Sequence, residues 1–330
     1  MRSINQPPTI WRKLVGKALL IIGFILIAFV AVTLWRANAR EAAAQKAYPP
    51  EGQIIEVKGY KVHAVVRGEG PDLVLIHGAS GSTRDYTHTL VAQLASDYRV
   101  IVLDRPGFGY TPRLHKDGES LEEQAALLSA AAAELGADRP IVLGQSFGGA
   151  VALAWAVHHP DTLFGLVLLA APSNIWSTPI DPLYHATSSF LGAHLLVPIL
   201  TAWVPKSYVA NALAGVFEPQ AAPEGYARHF GPSITLRRKT MVVNARQRVR
   251  LLPDIKALIP RYGEISVPTE LLHGDVDTIV GLSIHSELLV NQIAHANLTV
   301  LKGIGHMPQH VSQPEVLSAI SRVAARARLQ

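Results

Sequence analysis

The sequence predicts an α/β protein with a mostly parallel sheet, a helical insertion and one N-terminal membrane helix. Three observations lead to this prediction. Short apolar runs alternate with helical patterns from residue 72 onward, which indicates βαβ units. The alternation stops at 173–267, where nine prolines separate short helical runs, and then resumes. Residues 18–35 are apolar apart from Thr33, which approaches the length of roughly 20 residues that a bilayer requires.

Length and composition allow several protein classes and exclude others. The 330 residues suffice for one large α/β domain or two smaller ones. The net charge of +5 would suit an anionic membrane surface. We expect no nucleic-acid partner, because no stripe of Lys and Arg is interleaved with aromatic residues. The chain has no cysteine, which excludes disulfides, a thiolate nucleophile and a cysteine-based zinc site.

The apolar run at 18–35 indicates a single transmembrane helix. Basic residues flank it and tryptophans lie at its edges, which is typical of membrane spans. These flanking residues are Trp11, Arg12, Lys13 and Lys17 before the run, and Trp35, Arg36 and Arg40 around its end. We therefore predict a basic segment at 1–17, the span at 18–35 and a juxtamembrane linker at 36–52.

A cleaved signal peptide is the main alternative to an anchor, because Ala37-Asn38-Ala39 has the pattern of a cleavage site. The apolar run is longer than the roughly 7 to 15 residues usual in signal peptides, so we favour an anchor. Slightly more basic residues precede the run than follow it. The positive-inside rule then predicts a single-pass protein whose main domain lies on the outer side, periplasmic or extracellular.

The main domain begins with a hairpin, since 53–57 and 60–67 flank a turn at Lys58-Gly59. The strands that follow are short and continuously apolar, as expected for strands covered on both faces. We predict these strands at 72–76, 100–103, 141–143, 165–170, 269–272 and 298–301, and helices at 85–95, 120–135, 150–157 and 314–327. The core would comprise 53–172 and 268–330, and the insertion 173–267.

The stretch Gly144-Gln145-Ser146-Phe147-Gly148 lies between a predicted strand and a predicted helix. In this context the G-x-S-x-G pattern is that of a nucleophile elbow, a tight turn that lifts the serine hydroxyl above the sheet. The glycines are needed because the helix leaves so close to the strand that a Cβ would meet backbone. Ser146 is therefore the candidate nucleophile, and a helix-capping serine in an ordinary turn is the alternative.

A serine hydroxyl needs a base to take its proton and an acid to hold that base in one tautomer. Candidates follow two later strands. Asp275 and Asp277 come just after one predicted strand, and His306 comes just after the next. Because ligands in open parallel sheets bind at the carboxyl ends of the strands, these side chains should approach Ser146 there. The spacing alone leaves both aspartates open.

From about residue 53 to its end, the chain resembles the capped α/β-hydrolase family. The candidates follow in the order Ser, Asp, His, as in that family. Five motifs carry the resemblance: His77-Gly78-Ala79-Ser80-Gly81, Asp104-Arg105-Pro106-Gly107-Phe108-Gly109, Gly144-Gln145-Ser146-Phe147-Gly148-Gly149, Gly274-Asp275-Val276-Asp277 and Gly305-His306-Met307-Pro308. The resemblance implies an α/β-hydrolase sheet with helices on both faces and a helical cap after the sixth strand.

The resemblance also implies roles for single residues. The acid typically stands three residues after the glycine that ends its strand, which selects Asp277 and leaves Asp275 as the alternative. The oxyanion hole is expected from the backbone N–H groups of Phe147 and Ala79. His77 is expected to be structural.

Motifs of other chemistries are absent from the sequence. There is no HExxH, no phosphate-binding P-loop and no G-x-G-x-x-G after a strand, so we expect neither a metal nor a cofactor. Dehalogenases and epoxide hydrolases of the family carry an aspartate where this chain has Ser146. The H-G-G-G loop of one lipase and esterase branch is also not matched.

These expectations combine into a membrane-anchored serine hydrolase that cleaves carboxylic esters of hydrophobic substrates through an acyl-enzyme, with Ser146, Asp277 and His306 as the triad. Its partners would be a small hydrophobic ester and the membrane. The sequence identifies neither substrate-binding residues nor the oligomeric state. One alternative is carbon–carbon bond hydrolysis or perhydrolysis at the same triad, and a pocket arginine would favour the former. Another is a non-catalytic binding protein.

The insertion contains a basic patch whose role the sequence leaves open. It could be a solvated helix face, a contact for anionic lipid headgroups or a site for a substrate carboxylate. The patch consists of Arg237, Arg238, Lys239, Arg246, Arg248 and Arg250.

Overall fold

A computed structural model describes residues 9–327 and confirms the mostly parallel α/β sheet. The described residues form one eight-stranded sheet in the order β1-β2-β4-β3-β5-β6-β7-β8. Strand β2 pairs antiparallel with β1 and β4, and all other neighbours are parallel. The strands are β1 Gln53–Val57, β2 Tyr60–Arg67, β3 Asp72–Ile76, β4 Arg99–Leu103, β5 Ile141–Gln145, β6 Gly165–Leu169, β7 Thr269–Gly274 and β8 Ala296–Leu301.

The helices cover both faces of the sheet and fill the insertion. They are α1 Thr9–Ala47, α2 Arg84–Thr87, α3 Leu90–Leu94, α4 Leu121–Glu134, α5 Phe147–His158, α6 Pro182–Ser188, α7 Val197–Trp203, α8 Lys206–Phe217, α9 Tyr226–Phe230, α10 Arg238–Leu258, α11 Ser286–Leu289, α12 Pro308–Val311 and α13 Gln313–Ala327. A single helix was predicted at 85–95. The structure has α2 and α3 instead, because the backbone at Thr89 leaves the helical region, with φ of −146°.

The hydrophobic core lies on both faces of the sheet, and alternate residues of β5 pack into opposite sides of it. Val142 joins an apolar cluster with Trp155 of α5, whereas Leu143 joins a second cluster with Leu90 of α3 and Ile320 of α13. Successive side chains of a strand point to opposite faces, so a strand covered on both faces is apolar throughout. All five residues of β5 are buried.

Residues 173–267, called the inserted segment below, connect β6 to β7 and contain α6 to α10. Helix α10 packs against α5 and α6, so it ties this segment back onto the core. The loss of strand alternation in the sequence therefore corresponds to a real change of architecture. Its position after β6 places it at the carboxyl edge of the sheet.

Helix α1 is longer than the sequence predicted. The expected linker at 36–52 is helical as far as Ala47, because its alanine-rich sequence favours a helix and its side chains contact the inserted segment. Nε of Arg36 donates to the carbonyl of Ala202 at 2.7 Å, and the guanidinium of Arg238 pairs with Glu41 at 2.8 Å. The predicted basic segment 1–17 lies partly outside the described residues.

Within residues 9–327, α1 is long and apolar enough to span a bilayer, as judged by length and composition over Lys13–Ala47. Signal sequences share these two properties. Most large apolar side chains before residue 36 are exposed, for example Leu20 at 76% and Phe24 at 73%. The fold itself therefore leaves this surface uncovered.

Candidate active site

Ser146 lies in a strained turn between β5 and α5. Its φ is 51° and its ψ is −124°, and such a conformation costs a non-glycine residue about 1–3 kcal/mol. The turn tolerates no Cβ on either side: one added at Gly144 would lie 2.3 Å from the carbonyl oxygen of Gly148, and one added at Gly148 would lie 2.1 Å from that of Ile76. The N–H of Ser146 donates to the carbonyl of Leu169 at 2.8 Å, so β6 holds the turn in place.

The structure brings Ser146, His306 and Asp277 together at the carboxyl edge of the sheet. Nε2 of His306 lies 2.9 Å from Oγ of Ser146, and Nδ1 of His306 lies 2.7 Å from Oδ2 of Asp277. Ser146 is 6% exposed and His306 is 4% exposed. The three side chains therefore form one hydrogen-bonded chain that is largely shielded from water.

Asp277 is surrounded by donors that stabilise its charge. Its Oδ1 accepts from the N–H groups of Ile279 at 2.8 Å and Val280 at 3.0 Å, and Nε2 of His273 lies 3.3 Å from Oδ2. Burial raises the pKa of Asp277, but hydrogen bonds from His273 and His306 outweigh burial and lower the pKa well below its usual range. The carboxylate is therefore ionised at neutral pH.

Asp275, the alternative acid, has different partners. Its Oδ1 accepts from the N–H of Gly303 at 2.7 Å, and its Oδ2 lies 3.5 Å from the ammonium of Lys302. These contacts join the loop after β7 to the loop after β8. The geometry therefore places Asp277 beside His306 and gives Asp275 the part of a turn residue.

The two N–H groups expected to form an oxyanion hole belong to Ala79 and Phe147. Among the described residues, neither N–H donates to a protein acceptor. The loop that carries Ala79 is held by the inserted segment, because the N–H of Ser80 donates to Oδ1 of Asn244 at 3.1 Å and Oγ1 of Thr235 donates to the carbonyl of Ser80 at 2.7 Å. The inserted segment thus contributes to the geometry of the site.

His77 ties β3 to the turn after β4. Its Nε2 accepts from the N–H of Arg105 at 3.0 Å, and its Nδ1 donates to the carbonyl of Gly78 at 2.9 Å. Burial and the nearby Arg105 charge lower the pKa of His77 to about 4. At neutral pH it is therefore a neutral hydrogen-bonding residue, which fits the structural part expected for it.

A cavity of about 400 Å³ opens above Ser146. The core contributes the loop 78–81 and the stretch after β8, and the inserted segment supplies most of the remaining wall. That wall is largely apolar, with Tyr184, Val209, Ala212, Leu213, Val216, Phe230 and Leu236. Pockets of this size and lining are typical of small-molecule sites.

The sequence did not single out Arg248, which also lines this cavity. Its guanidinium lies 5.3 Å from the ring centroid of Tyr184, and among the described residues its buried Nε has no hydrogen-bond partner. The other arginines of the basic patch bond to backbone carbonyls or carboxylates: Arg237, Arg238, Arg246 and Arg250. Helical periodicity could not tell which arginine of the patch faces the cavity, since this depends on how α10 packs against the core.

A buried polar cluster around Asp85 was also missed. Asp85 lines the cavity and accepts from the hydroxyl of Tyr226 at 2.6 Å and from Nε2 of His310 at 2.9 Å. Burial raises the pKa of Asp85, but the charge and hydrogen bond of His310 lower it below its usual value. No sequence signal connects these residues, because they come from three distant parts of the chain.

Across residues 9–327, no group of three His, Cys, Asp or Glu side chains is arranged to hold a metal ion. A hydroxyl, an imidazole and a carboxylate in this order are the arrangement that activates a serine nucleophile.

Comparison with known proteins identifies the family. A family model described as alpha/beta hydrolase fold matches residues 71–192. The protein RutD of Stutzerimonas stutzeri, which carries the name of a carbamate hydrolase, is 30% identical over 257 residues that cover 75% of this chain and 89% of its own. A pimeloyl-(acyl-carrier protein) methyl ester esterase of Vibrio atlanticus is 27% identical and covers 74% of this chain and 90% of its own.

Solved structures agree with this assignment at the level of fold. A crystal structure of a membrane phospholipase A covers 95% of this chain and 99% of its own, with a TM-score of 0.64 and 19% identity. At this low sequence identity, the similarity shows the fold alone. Together with the family match and the sheet order, these similarities establish that the chain belongs to the α/β-hydrolase family.

Proposed function

We propose that this α/β hydrolase is a membrane-anchored serine esterase that cleaves carboxylic esters of hydrophobic substrates. One observation carries the proposal: the hydrogen-bonded chain from Ser146 through His306 to the ionised Asp277, at the base of a largely apolar cavity. A carboxylic ester with an apolar acyl group matches both the chemistry and the lining of this site.

The reaction has two halves. Oγ of Ser146 attacks the ester carbonyl while Nε2 of His306 takes the hydroxyl proton, and the resulting imidazolium is stabilised by Asp277. As the carbon–oxygen bond to the leaving alcohol breaks, His306 returns the proton to that oxygen, which leaves an acyl-enzyme on Ser146. Water then loses a proton to His306, attacks the acyl carbonyl and releases the carboxylic acid and the serine hydroxyl.

The tetrahedral intermediates of both halves carry a negative oxygen. The N–H groups of Ala79 and Phe147 are free of protein acceptors among the described residues and are proposed to bind this oxygen. Donors already fixed by the elbow and by the Ser80 contacts need no reorganisation when charge develops. Removing one such donor from a related type of site costs about 10² to 10³ in kcat.

The contacts of α1 support retention of the N-terminal helix as an anchor. The alternative cleavage pattern Ala37-Asn38-Ala39 lies inside the continuous helix, and Ala37 is fully buried against the folded domain. Nε1 of Trp203 donates to Oγ1 of Thr33 at 3.0 Å, and the ring of Trp203 stacks on Phe29 at 6.4 Å. Cleavage after Ala39 would remove these contacts. The charge bias around the span favours an outer location for the domain.

The deciding experiment is active-site labelling of the full-length protein in detergent with a fluorophosphonate probe. We expect labelling of the native protein, no labelling of Ser146→Ala, and hydrolysis of p-nitrophenyl butyrate that falls by about 10⁵ to 10⁶ in the same variant. Ser321→Ala is a matched control, since Ser321 is exposed on α13 and does not line the cavity above Ser146. Equal labelling of native protein and Ser146→Ala would reject the proposal and favour a binding protein.

A second candidate function is carbon–carbon bond hydrolysis of a dienone acid at the same triad, and Arg248 is the observation that favours it. A carboxylate of such a substrate could pair with the guanidinium, whose buried Nε lacks a partner among the described residues. If this candidate is correct, Arg248→Gln should raise KM for a dienone acid by about 10- to 100-fold and leave p-nitrophenyl butyrate hydrolysis nearly unchanged. Preference of the native protein for the neutral ester would favour the esterase instead.

A further inference from the structure

A second apolar cavity of about 580 Å³ lies between α1 and the inserted segment. One wall is formed by the helical face of α1 that carries Arg40, Ala43, Ala44 and Ala47. These positions are three or four residues apart, so they lie on one side of the helix. The opposite wall comes from α8 and from the stretch between α9 and α10. We call this cavity the α1 groove.

The α1 groove adjoins the cavity above Ser146. Four residues line both spaces: Val209, Leu213, Pro232 and Leu236. All four are apolar, and Val209 and Leu213 are one helical turn apart on α8. The boundary between the two spaces is therefore apolar, and an acyl chain that crosses it contacts only apolar side chains there.

The groove also begins close to the end of the proposed membrane span. Its first lining residue on α1, Arg40, lies five residues after Trp35. At 1.5 Å per residue the groove starts about 7 Å beyond the span. The headgroup layer of a bilayer is about 5 to 7 Å thick on each side. The end of the groove at Arg40, which is nearest the proposed span, thus lies at the outer edge of the headgroup layer.

We propose that the α1 groove binds the acyl chain of a membrane lipid ester whose carbonyl is at Ser146. This inference rests on the proposed esterase function and specifies the substrate as one drawn laterally from the bilayer along the anchor helix. Within the groove and the cavity above Ser146 the acyl chain is in largely apolar surroundings, which avoids the cost of about 0.8 kcal/mol for each methylene exposed to water.

The charges around the groove suit a lipid surface. Arg40, Lys206 and Arg228 line its rim, and Lys206 and Arg228 form no ion pair among the described residues. The acidic residue of the rim, Glu41, is already paired with Arg238. The rim therefore carries a net positive charge, which attracts anionic headgroups and the carboxylate of a released fatty acid.

The test fills the groove without touching Ser146. Ala43 is exposed and lines the groove, so Ala43→Trp should obstruct the acyl chain. Ala42 is the matched control, because it is an exposed alanine of the same helix that lies outside the groove lining. The measurement is kcat/KM of full-length protein in detergent micelles with p-nitrophenyl palmitate and p-nitrophenyl butyrate.

We expect Ala43→Trp to lower kcat/KM for palmitate by about 10-fold or more, while butyrate, which fits the cavity above Ser146, changes by less than about twofold. Ala42→Trp should affect neither ester. Equal loss on both esters, or no loss on palmitate, would overturn the proposal. Ala47→Trp should reproduce the palmitate effect from the other end of the groove.

A measurement that does not depend on turnover separates this inference from the esterase proposal. A palmitate analogue with a diazirine near its terminal methyl, photolysed with the Ser146→Ala protein, should crosslink to α8 or to residues 40–48. Crosslinks confined to other surfaces would reject the groove even if the enzyme is an esterase. If the crosslinks lie in the groove but the native protein hydrolyses neither ester, the esterase proposal is rejected and the groove remains a lipid-binding site.

Discussion

The elbow around Ser146 and helix α8, which borders both cavities, are packed very differently. At the elbow, backbone atoms leave no room for a single added carbon at Gly144 or Gly148. On α8, which borders the groove, a Cβ added at Gly215 would meet nothing within 4 Å. The elbow is thus fixed by close packing, whereas α8 has room for an added carbon at Gly215, a position that lines neither cavity. A substitution at that position should therefore leave the elbow intact.

The largest effect should come from Gly148→Ala at the elbow, and Gly215→Ala on α8 is its control. Gly148→Ala would place a Cβ 2.1 Å from a backbone carbonyl, and we expect a loss of at least about 3 kcal/mol in unfolding free energy together with loss of fluorophosphonate labelling. Gly215→Ala should stabilise the helix by about 0.5–1 kcal/mol with labelling unchanged. Thermal unfolding in detergent measures both. Similar effects of the two changes would contradict the comparison.

The next effect concerns the acid. Asp277→Asn would remove the charge beside Nδ1 of His306 and should lower kcat by about 10⁴, as expected when the base loses its stabilising carboxylate. Asp275→Asn should change kcat by less than about tenfold, because its partners are Gly303 and Lys302. Steady-state hydrolysis of p-nitrophenyl butyrate provides the measurement. A greater loss of kcat in Asp275→Asn than in Asp277→Asn would identify Asp275 as the acid that supports His306.

The smallest effect concerns the docking of α1. Burial opposes ionisation of Glu41, but the hydrogen bonds and charge of Arg238 lower the pKa of Glu41 below its usual value. Its stabilising contribution is therefore present above the unfolded pKa of about 4.3 and is lost as pH falls through the lowered folded pKa. For this partly exposed pair we expect about 0.2–1 kcal/mol.

Glu41→Gln should therefore lower the unfolding temperature slightly at pH 7, and the difference from the native protein should shrink as the pH is lowered below 4. Glu69→Gln is a control on the main domain, since Glu69 is exposed there. A difference between native protein and Glu41→Gln that grows as the pH falls would show that the charge of Glu41 does not stabilise the docked helix.

The sequence predicted more of the core than of the inserted segment. Strands such as 72–76 were located to the residue, because a strand covered on both faces is a short apolar run between turns. The approach of His306 and of an aspartate to Ser146 also followed from topology, since each comes after a parallel strand, whereas the family resemblance selected Asp277 over Asp275. The position of Arg248 did not follow from topology, because it depends on how α10 packs beside the cavity. The helical continuation through 36–47 was missed for a related reason: an alanine-rich stretch is equally compatible with a linker.

By itself, the sequence determined the sheet, the elbow and the candidates for the reaction, because these depend on local patterns: strand periodicity, glycines at a crowded turn and the residues that follow each strand. Only the tertiary structure decided which arginine faces the cavity, how Asp85 is satisfied and that an apolar groove beside α1 adjoins the cavity above Ser146. The physical reason is that each of these features joins side chains from elements distant in sequence. Their relative placement results from packing, on which local patterns carry no information.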